Sequence, residues 1–194
     1  MSTSLFDLFK FSKLLDMSDG KLTLMNVPVN VIPTSIFCNQ QKMLIKTLGF
    51  ENAYGEIYSE SKEGSYEYNL EFIKKEGFDD VHRIIDWQTK IVAFAGWGKL
   101  ELAVLDSETN RVVVHFKNSP YPKAYGNALY PVDFVAAGFV AGGVSALFKK
   151  DIDALETKCE ARGDPFCEIE TGSPLAINKK KADLWKRWKL ISKR

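Results

Sequence analysis

Residues 156–170 read ETKCEARGDPFCEIE and place two of the three cysteines of the chain on either side of one tight turn. Gly163-Asp164-Pro165 is typical of a hairpin turn, because glycine adopts left-handed backbone angles and proline has no N–H for a strand ladder. We predict strands over 155–159 and 166–170, with Cys159 opposite Cys167. Directly opposed Cβ atoms lie about 4.5–5.5 Å apart, which suits a shared metal ion, a disulfide or two free buried thiols.

Length and composition predict one domain with a well-buried core. The chain has 194 residues, of which 45% are hydrophobic and 26% are charged, as in ordinary soluble proteins. The first fifteen residues lack the basic start, apolar run and small-residue cleavage site of a signal peptide. Three cysteines are an odd and sparse set, which indicates a reducing, cytoplasmic location. That compartment favours a metal site or free thiols over a disulfide.

The C-terminal end is strongly basic. Residues 178–194 hold eight Lys or Arg and one acidic residue, whereas the rest of the chain holds 18 basic and 24 acidic residues. Within 179–194, the residues Leu184, Trp188 and Ile191 recur at helical spacing, which predicts a basic amphipathic helix. Three interpretations remain open: docking on the acidic body of its own domain or of a dimer mate, lying on an anionic membrane, or contacting nucleic acid phosphates.

The first half of the chain reads mainly as helices. Apolar residues at helical spacing predict an amphipathic helix over 4–17, and a Val-rich alternating stretch predicts a strand over 21–32. A helix then follows the turn at 33–35 and closes at Gly49. Residues 50–76 give only a rough helical pattern, and the next helix runs from an N-cap at residue 79 or 80 to Phe94.

The second half changes to a period of two residues. Alternation over 100–104 and a Val-rich stretch over 111–117 predict a hairpin of two strands, followed by a loop over 118–127. Residues 132–148 are apolar and rich in small side chains, with Gly138 and Gly142 one turn apart. This segment is marginal for spanning a bilayer of about 30 Å, so we predict a buried helix against the sheet. The fold class is α/β in the α+β sense, with helices packed on an antiparallel sheet.

Several enzyme classes lack their residues here. His82 and His115 are the only histidines, so a histidine-rich metal cluster or a Ser-His-Asp triad is not predicted. The chain contains no Walker loop, GxGxxG fingerprint or HExxH motif.

Four motifs in this order resemble the 4-vinyl reductase domain family. They are Gly96-Trp-Gly98, Phe116-Lys-Asn-Ser119, Tyr130-Pro-Val with the following Gly138-Phe-Val-Ala-Gly142, and Glu156-x2-Cys159-x3-Gly-Asp-Pro-x-Cys167. The resemblance covers about residues 20–171. It implies the ligand-binding fold shared with heme nitric-oxide-sensing domains and with Golgi-transport (TRAPP) subunits. We therefore divide the chain into an N-terminal helix (1–19), a ligand-binding domain (20–172) and a basic tail (173–194).

The resemblance also implies a zinc site. Similar sensor domains hold zinc with one Glu and three Cys, and three of these ligands fall on Glu156, Cys159 and Cys167. The fourth falls on Asp133, so the implied site has two thiolates and two carboxylates. Glu156 and Cys159 are three residues apart, which places them on opposite faces of a regular strand. They converge only if a bulge intervenes or the strand ends between them.

Trp97 and Phe116 resemble residues that line the family's ligand cavity. The resemblance implies a non-enzymatic module, a homodimer like its relatives, that binds or senses a small hydrophobic or aromatic molecule and signals through a partner. The alternatives are a tetrapyrrole vinyl reductase or its accessory factor, and an assembly or tethering protein. No nicotinamide or flavin motif supports the reductase.

Overall fold

The computed structural model describes residues 15–24, 27–77 and 80–191. The strands are β1 Leu15–Ser18, β2 Lys21–Leu24, β3 Val27–Pro28, β4 Lys99–Asp106, β5 Arg111–Lys117, β6 Asp153–Lys158 and β7 Cys167–Gly172. The helices are α1 Thr34–Leu48, α2 Phe50–Glu76, α3 Val81–Phe94, α4 Pro120–Tyr125, α5 Phe134–Phe148 and α6 Pro174–Ile191, with a 3-10 turn at Glu160–Arg162.

The larger sheet is antiparallel, with strand order β4-β5-β7-β6. β4 and β5 form the predicted hairpin, and β6 and β7 form the hairpin that carries the two cysteines. In β5 the side chains of Val112, Val114 and Phe116 are buried and point to the helix-covered face, because alternate residues of a strand share one face. The predicted fold class, an antiparallel sheet with helices packed on it, is confirmed.

The apolar segment 132–148 forms the buried helix α5, which lies between the sheet and α2. A Cβ atom added to Gly138 would lie 2.4 Å from the Tyr58 carbonyl oxygen, and one added to Gly142 would lie 2.2 Å from that of Lys62. Only glycine therefore allows α5 and α2 to approach this closely. The prediction of close backbone approach is confirmed, and the partner at these glycines is α2. Among the described residues, no helix has the length and hydropathy needed to cross a membrane.

The helices of the first half agree with the predicted boundaries. α1 ends at Gly49, whose N–H donates to the Ile45 carbonyl, and the rough pattern over 50–76 forms one continuous helix of 27 residues. Asp80 caps α3 by accepting a hydrogen bond from the His82 N–H. Helix α2 is long because its buried stripe faces α5, so tertiary packing compensates for a weak local pattern.

Three predictions of local structure are wrong. Residues 15–18 form a strand instead of the last turn of a helix, while the rest of the predicted helix over 4–17 lies outside the described residues. The stretch 21–32 forms β2 and β3, which pair antiparallel, instead of one strand. The predicted loop 118–127 contains α4, whose first turn is capped by the Ser119 hydroxyl. Proline at the start of a helix is tolerated, so Pro120 marks a helix start here.

The basic tail forms α6 and docks on its own domain. Ile177 and Trp188 are buried, and the ring of Trp185 packs edge-on against the rings of Phe50 and Tyr54 at 5.4 and 5.3 Å. Lys180 also pairs with Glu170 of β7. This contact agrees with the first of the three interpretations of the tail, while membrane and nucleic acid contacts stay predictions.

Candidate functional site

The turn between the two cysteines is held by its own polar groups. The Cys159 N–H donates to Asp164 Oδ2 at 2.8 Å, and the Arg162 N–H donates to the Cys159 carbonyl at 2.9 Å. Gly163 has a φ of 89°, which is the left-handed backbone that the Gly-Asp-Pro pattern predicts. The turn therefore places Cys159 directly after β6 and Cys167 at the start of β7.

Glu156, Cys159 and Cys167 converge, although a regular strand would separate the first two. The register of β6 against β7 shifts between Glu156 and Lys158, and β6 ends at Lys158. Both conditions for convergence, a bulge and a strand end, are present. As a result, one potential ligand atom from each of the three residues lies within 4.8 Å of the other two. All three side chains are buried.

The Glu156 carboxylate is only half used by the protein. Its Oε2 accepts a hydrogen bond from the Asp133 N–H at 2.8 Å, whereas Oε1 is buried and has no hydrogen-bond partner. Burial, and then the nearby Cys159 and Asp133, raise the pKa of Glu156 well above its usual value. A buried acceptor without a partner is costly in a folded protein. Glu156 Oε1 is therefore available to a cation or a proton.

The two thiols share one proton. The hydrogen bond from the Cys167 thiol lowers the pKa of Cys159 to about 6, against the effect of burial. The same hydrogen bond, together with burial, raises the pKa of Cys167. The Glu160 N–H also donates to Cys167 Sγ at 3.3 Å. A thiolate beside a carboxylate oxygen suits zinc, which binds sulfur and oxygen ligands. Cys38, like the other two cysteines, is a free thiol, but it lies elsewhere in the core.

Asp133 serves as the N-cap of α5. Its Oδ1 accepts a hydrogen bond from the Ala136 N–H at 3.1 Å, and its Oδ2 accepts one from the Ser119 hydroxyl at 3.5 Å. Burial raises the pKa of Asp133 to about 7. Its carboxylate is not among the three donors that cluster within 4.8 Å. The prediction of Asp133 as a fourth metal ligand stays a prediction, and the structure gives this side chain a role in the helix instead.

Trp97 and Phe116 line an apolar cavity of about 190 Å³. Its other walls come from α3, from α5 and from the small N-terminal sheet, through residues that include Ile91, Val92, Ala136, Phe139, Leu24 and Val27. None of the described residues that line this cavity carries a charge, and its only polar side chain besides the Trp97 indole is that of Tyr68. Two clefts of about 530 and 500 Å³ have charged linings and suit an apolar ligand less well.

A second apolar chamber of about 70 Å³ adjoins this cavity and shares Val92, Phe116 and Phe139 with it. Its polar groups are Asn69 and Gln88, whose side chains hydrogen-bond to each other. The sequence did not indicate these cavity residues as a group, because they come from four separate elements. The apolar stripe of α3, with Ile84, Ile91 and Val92 buried, is the one local signal that could have identified a wall.

The cavity and the three-donor cluster share structural supports. Phe116 of β5 pairs with Cys167 of β7, so one side chain of this pair lines the cavity and the other belongs to the cluster. Ala136 lines the cavity as well, and its N–H is capped by Asp133. Since the Asp133 N–H donates to Glu156, a change in the cluster bears directly on the cavity wall.

A buried amide that the sequence analysis missed fixes the segment before α5. Gln41 of α1 donates from Nε2 to the Val132 carbonyl at 2.8 Å, and its Oε1 accepts a hydrogen bond from the Tyr121 hydroxyl at 2.7 Å. Residues 41 and 132 are far apart in sequence, so no local pattern indicates this contact.

His115 lies on the opposite face of β5 from Phe116. Its Nε2 contacts Glu168 at 3.1 Å, and its ring stacks on that of Phe166 at 4.2 Å. This histidine therefore belongs to the far side of the sheet and not to the cavity.

Comparison with known proteins identifies the class of domain. Residues 112–173 match the family model of the 4-vinyl reductase domain, which confirms the resemblance predicted from the sequence. No curated protein sequence matches the chain, whereas solved structures do.

The fold is similar to that of the phenol-responsive sensory domain of the transcription activator PoxR, solved with phenol. The TM-score is 0.78 at 19% identity, over 95% of this chain and 96% of that chain. A vinyl-4-reductase family protein from Methanocaldococcus jannaschii gives a TM-score of 0.50 at 19% identity, over 74% of this chain and 82% of that chain. At these identities the likeness concerns the fold.

Proposed function

We propose that this protein is a small-molecule-binding sensory domain that encloses an uncharged apolar or aromatic molecule in the cavity beside Trp97 and Phe116. The observation that carries the proposal is the apolar cavity, which no charged side chain of the described residues lines. Burying a charged group without a partner is unfavourable. The cavity therefore selects neutral molecules, with Tyr68 and the Trp97 indole as the polar groups that can orient them.

The cavity volume favours a ligand with one ring. An apolar cavity of about 150 Å³ holds benzene, and the main chamber measures about 190 Å³ with a side chamber of about 70 Å³. A tetrapyrrole is much larger than this space, so the reductase alternative receives no support from the cavity. The likeness in fold to a phenol-responsive sensory domain supports a phenol-type ligand.

We further propose that Glu156, Cys159 and Cys167 hold zinc. The fit rests on the free Glu156 Oε1 and on two sulfurs within 4.8 Å of a carboxylate oxygen. Bound there, zinc supplies a cross-link between β6 and β7. Because Phe116 pairs with Cys167, this cross-link stabilises one wall of the cavity.

Isothermal titration with phenol tests the cavity. Ala95 lies at the cavity edge, so Ala95→Leu narrows the space and is expected to weaken phenol binding by about tenfold, or about 1.4 kcal/mol. The control is Ala93→Leu on the same helix, since Ala93 is exposed and does not line the cavity. Absence of phenol binding to the unmodified protein, or equal weakening by both variants, would contradict the proposed site.

Native mass spectrometry of the purified protein tests the metal. We expect one zinc ion per chain, and Glu156→Gln should lower zinc affinity by at least about tenfold, because loss of a ligand costs no less than loss of an outer-shell partner. Glu160→Gln is the matched control, since Glu160 lies outside the three-donor group. Protein that carries no metal after purification and after zinc addition rules out the zinc site.

Signalling through a homodimer or another partner is part of the same proposal. α1 exposes the large apolar side chains of Ile36, Phe37, Met43 and Leu48 at 42 to 59% of their full area, and exposed apolar patches mark interaction surfaces. Light scattering after gel filtration, with and without phenol, measures the oligomeric state. Substitution of Phe37 and Met43 by Ser should reduce dimerisation without changing phenol binding.

A further inference from the structure

The three-donor cluster provides fewer ligands than a closed zinc site. Structural zinc sites have four protein ligands, whereas sites with three protein ligands keep one position for a further donor. Among the His, Cys, Asp and Glu side chains of the described residues, only Glu156, Cys159 and Cys167 bring ligand atoms together here. The fourth position therefore has to be assigned from the groups around the cluster.

Asp133 is the nearest further carboxylate, and its atoms are already in use. Oδ1 caps α5 through the Ala136 N–H, and Oδ2 accepts the Ser119 hydroxyl. Ala136 and Ser119 are themselves buried, so moving this carboxylate onto a metal would leave two buried donors without an acceptor. Unpaired buried donors are strongly disfavoured, which keeps Asp133 on the helix.

Glu156 does not supply a second oxygen either. Its Oε2 accepts the Asp133 N–H at 2.8 Å, and only Oε1 is without a partner. Glu156 thus offers one donor atom, and each cysteine offers one sulfur. The protein contributes three donors.

A polar cleft gives access to this region. The cleft measures about 500 Å³, and Ser119, Lys123, Glu160 and Ala161 are among its lining residues. Ser119 hydrogen-bonds to Asp133, and the Glu160 N–H donates to Cys167 Sγ. The cleft thus lies one residue away from the cluster, and Lys123 places a positive charge at its wall.

We propose that the metal site formed by Glu156, Cys159 and Cys167 keeps one coordination position open, and that a small thiol entering from the cleft at Ser119 and Glu160 binds there as its thiolate. This inference rests on the zinc site proposed above. A soft sulfur donor matches the two thiolates already present, and the thiol releases its proton to solvent on binding. The site then responds to the concentration of a small thiol beside the wall of the ligand cavity.

Cobalt(II) absorption spectroscopy on the full chain tests the open position. Cobalt replaces zinc, and 2-mercaptoethanol is the probe. Its addition should shift the visible d–d bands and raise the thiolate-to-cobalt charge-transfer band, as a third sulfur joins two. In Asp133→Cys, a protein thiolate at the fourth position should give the stronger charge-transfer band without the probe and abolish the response to it.

A second variant separates Asp133 from the metal. Asn also caps helices well, so Asp133→Asn should leave the cobalt spectrum and its response to 2-mercaptoethanol unchanged. A cobalt protein whose spectrum does not respond to 2-mercaptoethanol, or whose spectrum changes on Asp133→Asn, overturns the open position while the metal site stands. Failure of the unmodified protein to bind cobalt or zinc overturns the metal site and the open position together.

Discussion

Gln41 is a polar side chain with 1% exposure, and both ends of its amide are used. Nε2 bonds to the Val132 carbonyl and Oε1 to the Tyr121 hydroxyl. Val132 precedes Asp133, whose N–H donates to Glu156. A single residue of α1 therefore fixes the segment that leads to the three-donor cluster.

Gln41→Leu tests this contact. Leucine removes both hydrogen bonds but keeps a side chain of similar size, so a buried carbonyl and a buried hydroxyl lose their partner. We expect the free energy of unfolding to fall by about 1–3 kcal/mol, measured by denaturant titration. Gln40→Leu, at an exposed position of the same helix, should change stability by less than about 0.5 kcal/mol. Similar losses in the two variants would contradict the role of Gln41.

Sequence reasoning found the residues whose chemistry is rare, and missed the common ones. Two cysteines around Gly-Asp-Pro are recognisable because both the turn and the thiols have few alternatives. A glutamine on a helix reads as a surface residue, since glutamine is mostly exposed. Only the position of the Val132 carbonyl shows that Gln41 is internal.

Among the secondary-structure elements, the contact of α5 with α2 determines how the core is layered. The two helices approach so closely that backbone carbonyls of α2 occupy the space where side chains at Gly138 and Gly142 would lie. The sequence predicted a close approach from the small residues of α5. It could not name α2 as the partner, because residues 50–76 carry only a weak helical pattern of their own.

Gly142→Ala tests this packing, with Gly143→Ala as the matched control. A Cβ at residue 142 would lie 2.2 Å from a backbone oxygen, whereas at residue 143 the nearest atom, in the Asn69 side chain, is 3.4 Å away. We expect Gly142→Ala to destabilise the protein by at least about 1–3 kcal/mol, the usual cost of overpacking. Gly143→Ala should be neutral or stabilise by up to about 1 kcal/mol through helix propensity. Thermal unfolding followed by circular dichroism measures both, and a tolerated Gly142→Ala would contradict the packing.

In the complete domain, α6 closes the structure against α2 and the main sheet. Trp188 is 7% exposed, and its ring lies 6.4 Å from that of Phe50. The Arg162 guanidinium lies over the same tryptophan, 5.8 Å from the ring centre. The basic residues over 178–187 are exposed or half-buried. The tail is thus part of the domain, and its charge faces solvent.

Trp188→Ala measures what this docking contributes. Removing a buried tryptophan costs about 3–5 kcal/mol, so we expect a large loss of unfolding free energy together with faster proteolytic cleavage within α6. Leu175→Ala on the same helix is the control, because Leu175 is 84% exposed and should be nearly neutral. If Trp188→Ala is neutral as well, the tail does not dock on the domain in solution.

The features that depend on local chemistry follow from the sequence alone. These are the cysteine turn with Gly163, the β4–β5 hairpin, the small-residue helix α5, the N-cap at Asp80 and the family to which residues 112–173 correspond. Each is encoded by residues close together in the chain, through backbone preference, alternation or hydrogen bonds within one turn.

The places where these elements meet depend on the tertiary structure. It converts the three-residue spacing of Glu156 and Cys159 into a common site through a bulge and a strand end, and it assigns Asp133 to the cap of α5. It also forms the cavity beside Trp97 and Phe116 with residues from distant segments. Such contacts arise from burial and from the pairing of buried polar groups, which depend on the whole fold and not on neighbours in sequence.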